Sequence, residues 1–123
     1  MPERFPDIEI YIYKADPEQV KRWLATALAA PLTTLGSAQW QGSYNGQPLS
    51  IVFNTHAEKN FASLWFKQNN TPWNSDLDCA KAAHLALGCE IRCSASGWEE
   101  AQGEISEDQW FKLIHGETKR FTW

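Results

Sequence analysis

A chain of 123 residues, 43% of them hydrophobic and 21% charged, is long enough to bury one core and lacks the charge runs and low-complexity tracts of a disordered chain. A formal net charge of -4 removes the cationic field that non-specific phosphate binding needs, so nucleic acid is not an expected partner. Glu3, Arg4 and Asp7 interrupt the N-terminus where a secretion signal would be apolar, no stretch approaches a membrane span, and three cysteines make an odd set; a cytoplasmic single domain over residues 1–123 is expected.

"DIEIYIYK" alternates Ile8, Ile10 and Ile12 against Glu9, Tyr11 and Tyr13, the period of a strand with one buried face. Asp16 can accept from the free amides of a helix start, and Pro17 suits the first helical position, where its missing N–H costs nothing. Val20, Trp23, Leu24, Ala27 and Leu28 then recur at helical spacing until Pro31 ends the run. After a polar connector, "AQWQGSY" and "LSIVFN" flank Asn45-Gly46, a dipeptide that accepts the positive φ angles of a tight hairpin. "HAEKN" supplies the next turn, and "FASLWFKQ" sets Ala62, Leu64 and Phe66 against Phe61, Ser63 and Trp65.

A second helix spans about Ser75 to Leu87, with Ser75 as its cap, Ala80, Ala83 and Leu87 as a narrow stripe, and Gly88 as its stop. In "CEIRCS", Cys89, Ile91 and Cys93 alternate with Glu90, Arg92 and Ser94 as a strand. The aromatic tail around His115-Gly116 favours a hairpin over a short helix capped by Ser106. The order β-α-β-β-β-α-β plus a C-terminal hairpin predicts an α+β fold: a mainly antiparallel sheet with two helices on one face, related to the ferredoxin-like split βαβ sandwich.

Spacing argues against a metal site. Cys89 and Cys93 lie about 13 Å apart along a strand, and Cys79 and His84 point about 140° apart on a helix; zinc needs its ligands at one point. No metal ligand and no cofactor is expected. Cys79 in a first helical turn has the electrostatics of a reactive thiol, opposed by Asp76 and Asp78 beside it, and buried structural thiols are the preferred reading. His56, His84 and His115 form no triad order, the acid pairs Glu99-Glu100, Glu107-Asp108 and Asp76/Asp78 read as surface and helix-dipole charges, and no phosphate loop occurs; no catalytic residue is assigned.

Seven tryptophans are the compositional anomaly. Trp23 belongs to the first helix stripe. Tyr11, Tyr13, Trp65, and with them Trp40 and Tyr44, alternate with inward residues and would make the sheet face opposite the helices aromatic, to be covered by the C-terminal strands, a protein partner or a second copy of the chain. If the strands before and after the second helix are parallel, the crossover brings Trp73 and Trp98 to one edge, where Asn74, Ser75, Arg92, Ser94 and Ser96 join them as a candidate ligand or partner site; capping the core end is the competing role.

The pattern T-P-W-x₂-D-x₂-C-A-x₂-A-x₃-L-G-x-E-x-R-C, followed by G-W, resembles that of a group of small bacterial α+β proteins over about the C-terminal half of the chain. That resemblance implies a bacterial, cytoplasmic, stand-alone domain and carries over no activity and no site residue. The favoured function is a non-enzymatic binding or interaction domain, with an unknown protein or small-molecule partner. The alternative is a small enzyme or small-ligand binder at the Trp73/Trp98 edge, with Cys79, His84 or Arg92 for chemistry.

Overall fold

The alternation in "DIEIYIYK" produces β1 (Ile8–Tyr13), whose three isoleucines are wholly buried while Glu9, Tyr11 and Tyr13 are half-buried on the other face. The computed structural model describes residues 6–36, 38–94 and 109–122. On one side β1 pairs antiparallel with β5 (Phe61–Phe66), matching Ile8, Ile10 and Ile12 to Phe66, Leu64 and Ala62. On the other it pairs antiparallel with β6 (Ile91–Ser94). Outward from β5 run β4 (Gln47–Glu58), β3 (Gln39–Tyr44) and the two-residue β2 (Thr33–Thr34). Outward from β6 run β7 (Gln109–Ile114) and β8 (Glu117–Thr122).

The described strands thus form one eight-stranded sheet, order β2-β3-β4-β5-β1-β6-β7-β8, in which each neighbouring pair is antiparallel. The α+β class with a mainly antiparallel sheet is as expected. Both β5 and β6 oppose β1, so they run in the same direction, with β1 between them.

Helix α1 (Pro17–Leu28) starts on Asp16, whose side chain accepts the Glu18 N–H at 3.1 Å, with Pro17 in the first turn as expected. It ends before Pro31: Ala29 turns left-handed at φ 53 and the Ala30 N–H returns to the Ala25 carbonyl, so the chain has already left the helix. Helix α2 (Asp76–Leu87) is capped by the Ser75 hydroxyl, which accepts the Asp78 N–H at 3.2 Å, and closes on Gly88 at φ 74.

Val20, Leu24 and Leu28 of α1 and Leu77, Ala80 and Ala83 of α2 share one core cluster with the isoleucines of β1, Leu64, Phe66 and Ile91. Burying each large aliphatic side chain is worth about 1.5–3 kcal/mol, so this face carries the fold. The small residues of α2 let it lie close to β6.

Four local expectations are corrected. The connector after α1 contains β2, paired to β3 through Thr33↔Gln41 and Thr34↔Trp40. "HAEKN" is not all turn: β4 runs on to Glu58, with a register shift between Asn54 and Glu58, and only Lys59 and Asn60 make the turn. Cys89 is not in the strand, which begins at Ile91; its carbonyl is held by His84 Nδ1 at 2.7 Å. Trp40 and Tyr44 do not join the face opposite the helices. Trp40 is opposite Ile51 in register, stacks on Phe53 with centroids 4.8 Å apart and is buried in the core, and Tyr44 packs against the same core. Alternation fixes which residues share a face but not which face the helices cover.

The C-terminal strands form the favoured hairpin, with His115 and Gly116 at φ 53 and 77. They extend the sheet, and they add Trp110 and Phe121 to the face opposite the helices.

Candidate functional site

Trp73 follows β5 and is nearly buried, stacked on Trp23 of α1 at 5.5 Å between centroids and tilted on Phe66 at 5.9 Å. The Thr71 hydroxyl accepts its N–H at 3.2 Å, and Thr71 is itself buried. Ser75 is buried as the cap of α2, and Asn74 between them is exposed. These three candidates are neighbours at the end of the sheet where β1 begins. Arg92 and Ser94 alternate with the buried Ile91 and Cys93, so they lie on the opposite face of the sheet, with Arg92 beside Tyr11 in register. Trp98 and Ser96, and with them the expected Trp73/Trp98 neighbourhood, lie outside the described residues, as do Ser106 and the acids Glu99, Glu100, Glu107 and Asp108.

The groups proposed for chemistry are held in structural roles. Cys79 and Cys93 are buried, and desolvation pushes both thiols up, with the Asp76 carboxylate adding to it. Burial overrides the helix N-terminus that would have activated Cys79. Burial also raises the half-buried Cys89 thiol. His84 is saturated: its Nδ1 faces the Cys89 carbonyl, which only accepts, and its Nε2 lies 3.0 Å from the Gly116 amide, which only donates. The proton therefore sits on Nδ1, and the ring ties α2 to the tip of the β7–β8 hairpin. Arg92 Nε donates to Glu90 Oε2 at 2.7 Å. Among the described residues no three His, Cys, Asp or Glu side chains gather as metal ligands.

One titratable group stands out that its sequence surroundings concealed. Asp76 opens α2, yet its Oδ1 accepts the Glu9 N–H of β1 at 3.0 Å, and burial pushes its carboxyl up to about 7, with Asp7 and Glu9 adding repulsion. Burial and Asp7 raise Glu9 as well, and Asp7 Oδ2 accepts from Trp65 Nε1 at 2.8 Å. In sequence Asp76 has the setting of a solvated helix-dipole charge. Only the packing of α2 against β1, whose Glu9 lies 67 residues away in sequence, removes it from water.

The face opposite the helices is the other feature. From β5 to β8 it carries Trp65, Tyr11, Arg92, Trp110, Lys112, Lys119 and Phe121. Tyr11 and Trp110 meet edge to face at 5.4 Å. The Arg92 guanidinium lies 4.5 Å from the Phe61 ring and 4.7 Å from that of Phe121, with the Lys112 ammonium 5.1 Å from Phe121. Tyr11, Phe61, Arg92, Ser94, Trp110 and Phe121 are all engaged in further interactions. In register, Arg92, Lys112 and Lys119 stand side by side across three strands. Comparison with protein-family models, curated proteins and solved structures finds no match to this chain.

Proposed function

We propose that the protein is a non-enzymatic binding domain whose contact surface is the β6–β8 part of the open sheet face, and that the partner presents an acidic polypeptide segment. The observation that carries this reading is the pairing of Lys112 with Lys119 next to Arg92, since like charges directly opposite one another across strands destabilise a sheet unless an anion lies over them. Glu90 offsets Arg92, whereas Lys112 and Lys119 have no ion pair among the described residues. Half-exposed Trp110 beside them supplies the aromatic contact typical of an interface anchor. A second copy of the chain is the less favoured occupant, because a symmetric face-to-face dimer would bring the two cation rows together.

Titration with a synthetic Glu-rich peptide, followed by tryptophan fluorescence at low and high salt, tests this. Saturable, salt-sensitive quenching that disappears in the Lys112→Glu/Lys119→Glu variant is expected. Absence of binding, or binding indifferent to the charge reversal, overturns the reading, and a concentration-dependent dimer in sedimentation assigns the face to a second copy instead.

The second reading, a small enzyme or small-ligand binder at the Trp73 edge, draws its support from Asp76, a carboxyl with an elevated pKa beside Trp73 and Ser75. A carboxyl NMR titration that finds Asp76 in the ordinary carboxylate range removes that support. We also read β5, α2 and β6, two like-directed strands astride β1, as a split βαβ unit of the ferredoxin-like kind. A cytoplasmic home is proposed on the odd number of cysteines; among the described residues no helix is long and apolar enough to cross a membrane.

A further inference from the structure

At the end of the sheet away from Asp76, three irregular pieces of backbone converge on one hollow of about 520 Å³. The first is the corner after β1, where Lys14 is left-handed at φ 48 and donates its N–H to the Asn60 carbonyl at 2.7 Å. The second is the β4–β5 turn, where Asn60 is left-handed at φ 64. The third is the register shift in β4 between Asn54 and Glu58, which takes Thr55, His56 and Ala57 out of the ladder. Left-handed non-glycine residues and bulges cost stability, and here they lie beyond Phe53, the last buried residue of β4, where Phe61 and Ala62 of β5 are the buried residues beside them.

What they gather is two ammonium groups and an imidazole. Lys14, His56 and Lys59 line the hollow against a single acid, Glu58, in a chain of net charge -4, and Phe61, Ala62 and Ala15 complete the wall. His56 is held by two local bonds: its N–H donates to Asn54 Oδ1 at 3.1 Å and its Nδ1 pairs with the Thr55 hydroxyl at 2.8 Å. Its Nε2 has no hydrogen bond among the described residues, and neither lysine has an ion pair among them. The Lys14 ammonium rests 5.4 Å from the Tyr13 ring centroid.

We propose that this hollow binds the phosphoryl dianion of a small organic phosphate. Two ammonium groups and an imidazole suit a compact dianion better than a single carboxylate, and the volume fits a ligand of a few rings' size, within the usual span of small-molecule sites. The acidic-partner surface extends from here toward β8, and Phe61, on which Arg92 rests, lies between the two.

The test is an NMR titration of the full chain, isotope-labelled, with inorganic phosphate and with glycerol 3-phosphate, against sodium chloride at matched ionic strength. Saturable shifts confined to Lys14, Thr55, His56, Lys59 and Asn60 are expected. Lys59→Gln should weaken the fit by about 3- to 5-fold and Lys14→Gln/Lys59→Gln by about 10-fold or more. All these positions are exposed, so the variants keep the dispersed spectrum of the folded chain. Tighter binding of the ester than of the inorganic ion assigns the site to an organic phosphate, and equal affinity assigns it to the phosphoryl group alone. No saturable shift by ~10 mM ligand, identical shifts with chloride, or unchanged affinity in the double variant overturns the proposal.

Discussion

The two faces of the sheet are built from the same strands and obey opposite rules. On the helix side, Ile8, Ile10, Ile12, Leu64, Phe66 and Ile91 are all fully buried, in one apolar cluster with residues of α1 and α2. On the other side Tyr11, Arg92, Trp110, Lys112 and Phe121 are half-buried, and their rings are flanked by cations and by one another's edges. One face derives its energy from area removed from water. The other derives it from cation–π and edge contacts of about 0.5–1.5 kcal/mol each, which leaves that face able to exchange partners. The contrast teaches where stability and binding are separately located.

The largest effect should follow from removing Phe66 or Trp73 on the helix side: Phe66→Ala and Trp73→Ala should each cost about 3–5 kcal/mol in chemical denaturation. Trp65→Ala on the open face, which loses a half-exposed ring and its bond to Asp7, should cost less than half of that. Equal losses on the two faces would break the comparison.

The pH dependence sharpens it next. Asp76 titrates near 7 in the folded chain and at its ordinary 3.8 when unfolded, so the native state holds the proton longer. Stability is therefore full below about pH 4 with respect to this group, falls as pH rises toward 7, and is level above, a loss on the order of 4 kcal/mol. Glu9, also raised, acts in the same direction. Asp76→Asn keeps an oxygen for the Glu9 N–H and should flatten the slope, leaving the variant more stable than the parent at pH 8. A parent whose stability is level between pH 4 and 7 would show that Asp76 is not desolvated.

His84→Ala should cost about 1–3 kcal/mol by orphaning the Cys89 carbonyl and the Gly116 amide, with hydrogen exchange rising first at the tip of the β7–β8 hairpin. The smallest change is Lys119→Gln. Relieving its opposition to Lys112 should raise stability by a few tenths of a kcal/mol at low salt and by nothing measurable at high salt. A destabilised variant would mean that the cation row is already compensated.

Local chemistry determined a good part of this protein from sequence alone. Asp16-Pro17 and Ser75 start the helices, Asn45-Gly46 and His115-Gly116 turn the hairpins, and the isoleucines of β1 face the core, because caps, positive-φ turns and period-two alternation act within a few residues. Other features were decided only by tertiary structure: which face of β3 the helices cover, which made Trp40 core; the insertion of β1 between β5 and β6; and the placement of Arg92 on the face away from Trp73. The raised carboxyl of Asp76, the saturation of His84 and the hollow at Lys14, His56 and Lys59 depend in the same way on elements far apart in the chain. Burial, register and desolvation are properties of what is packed alongside, and a sequence read along its own length carries the period of each strand but not the identity of its neighbour.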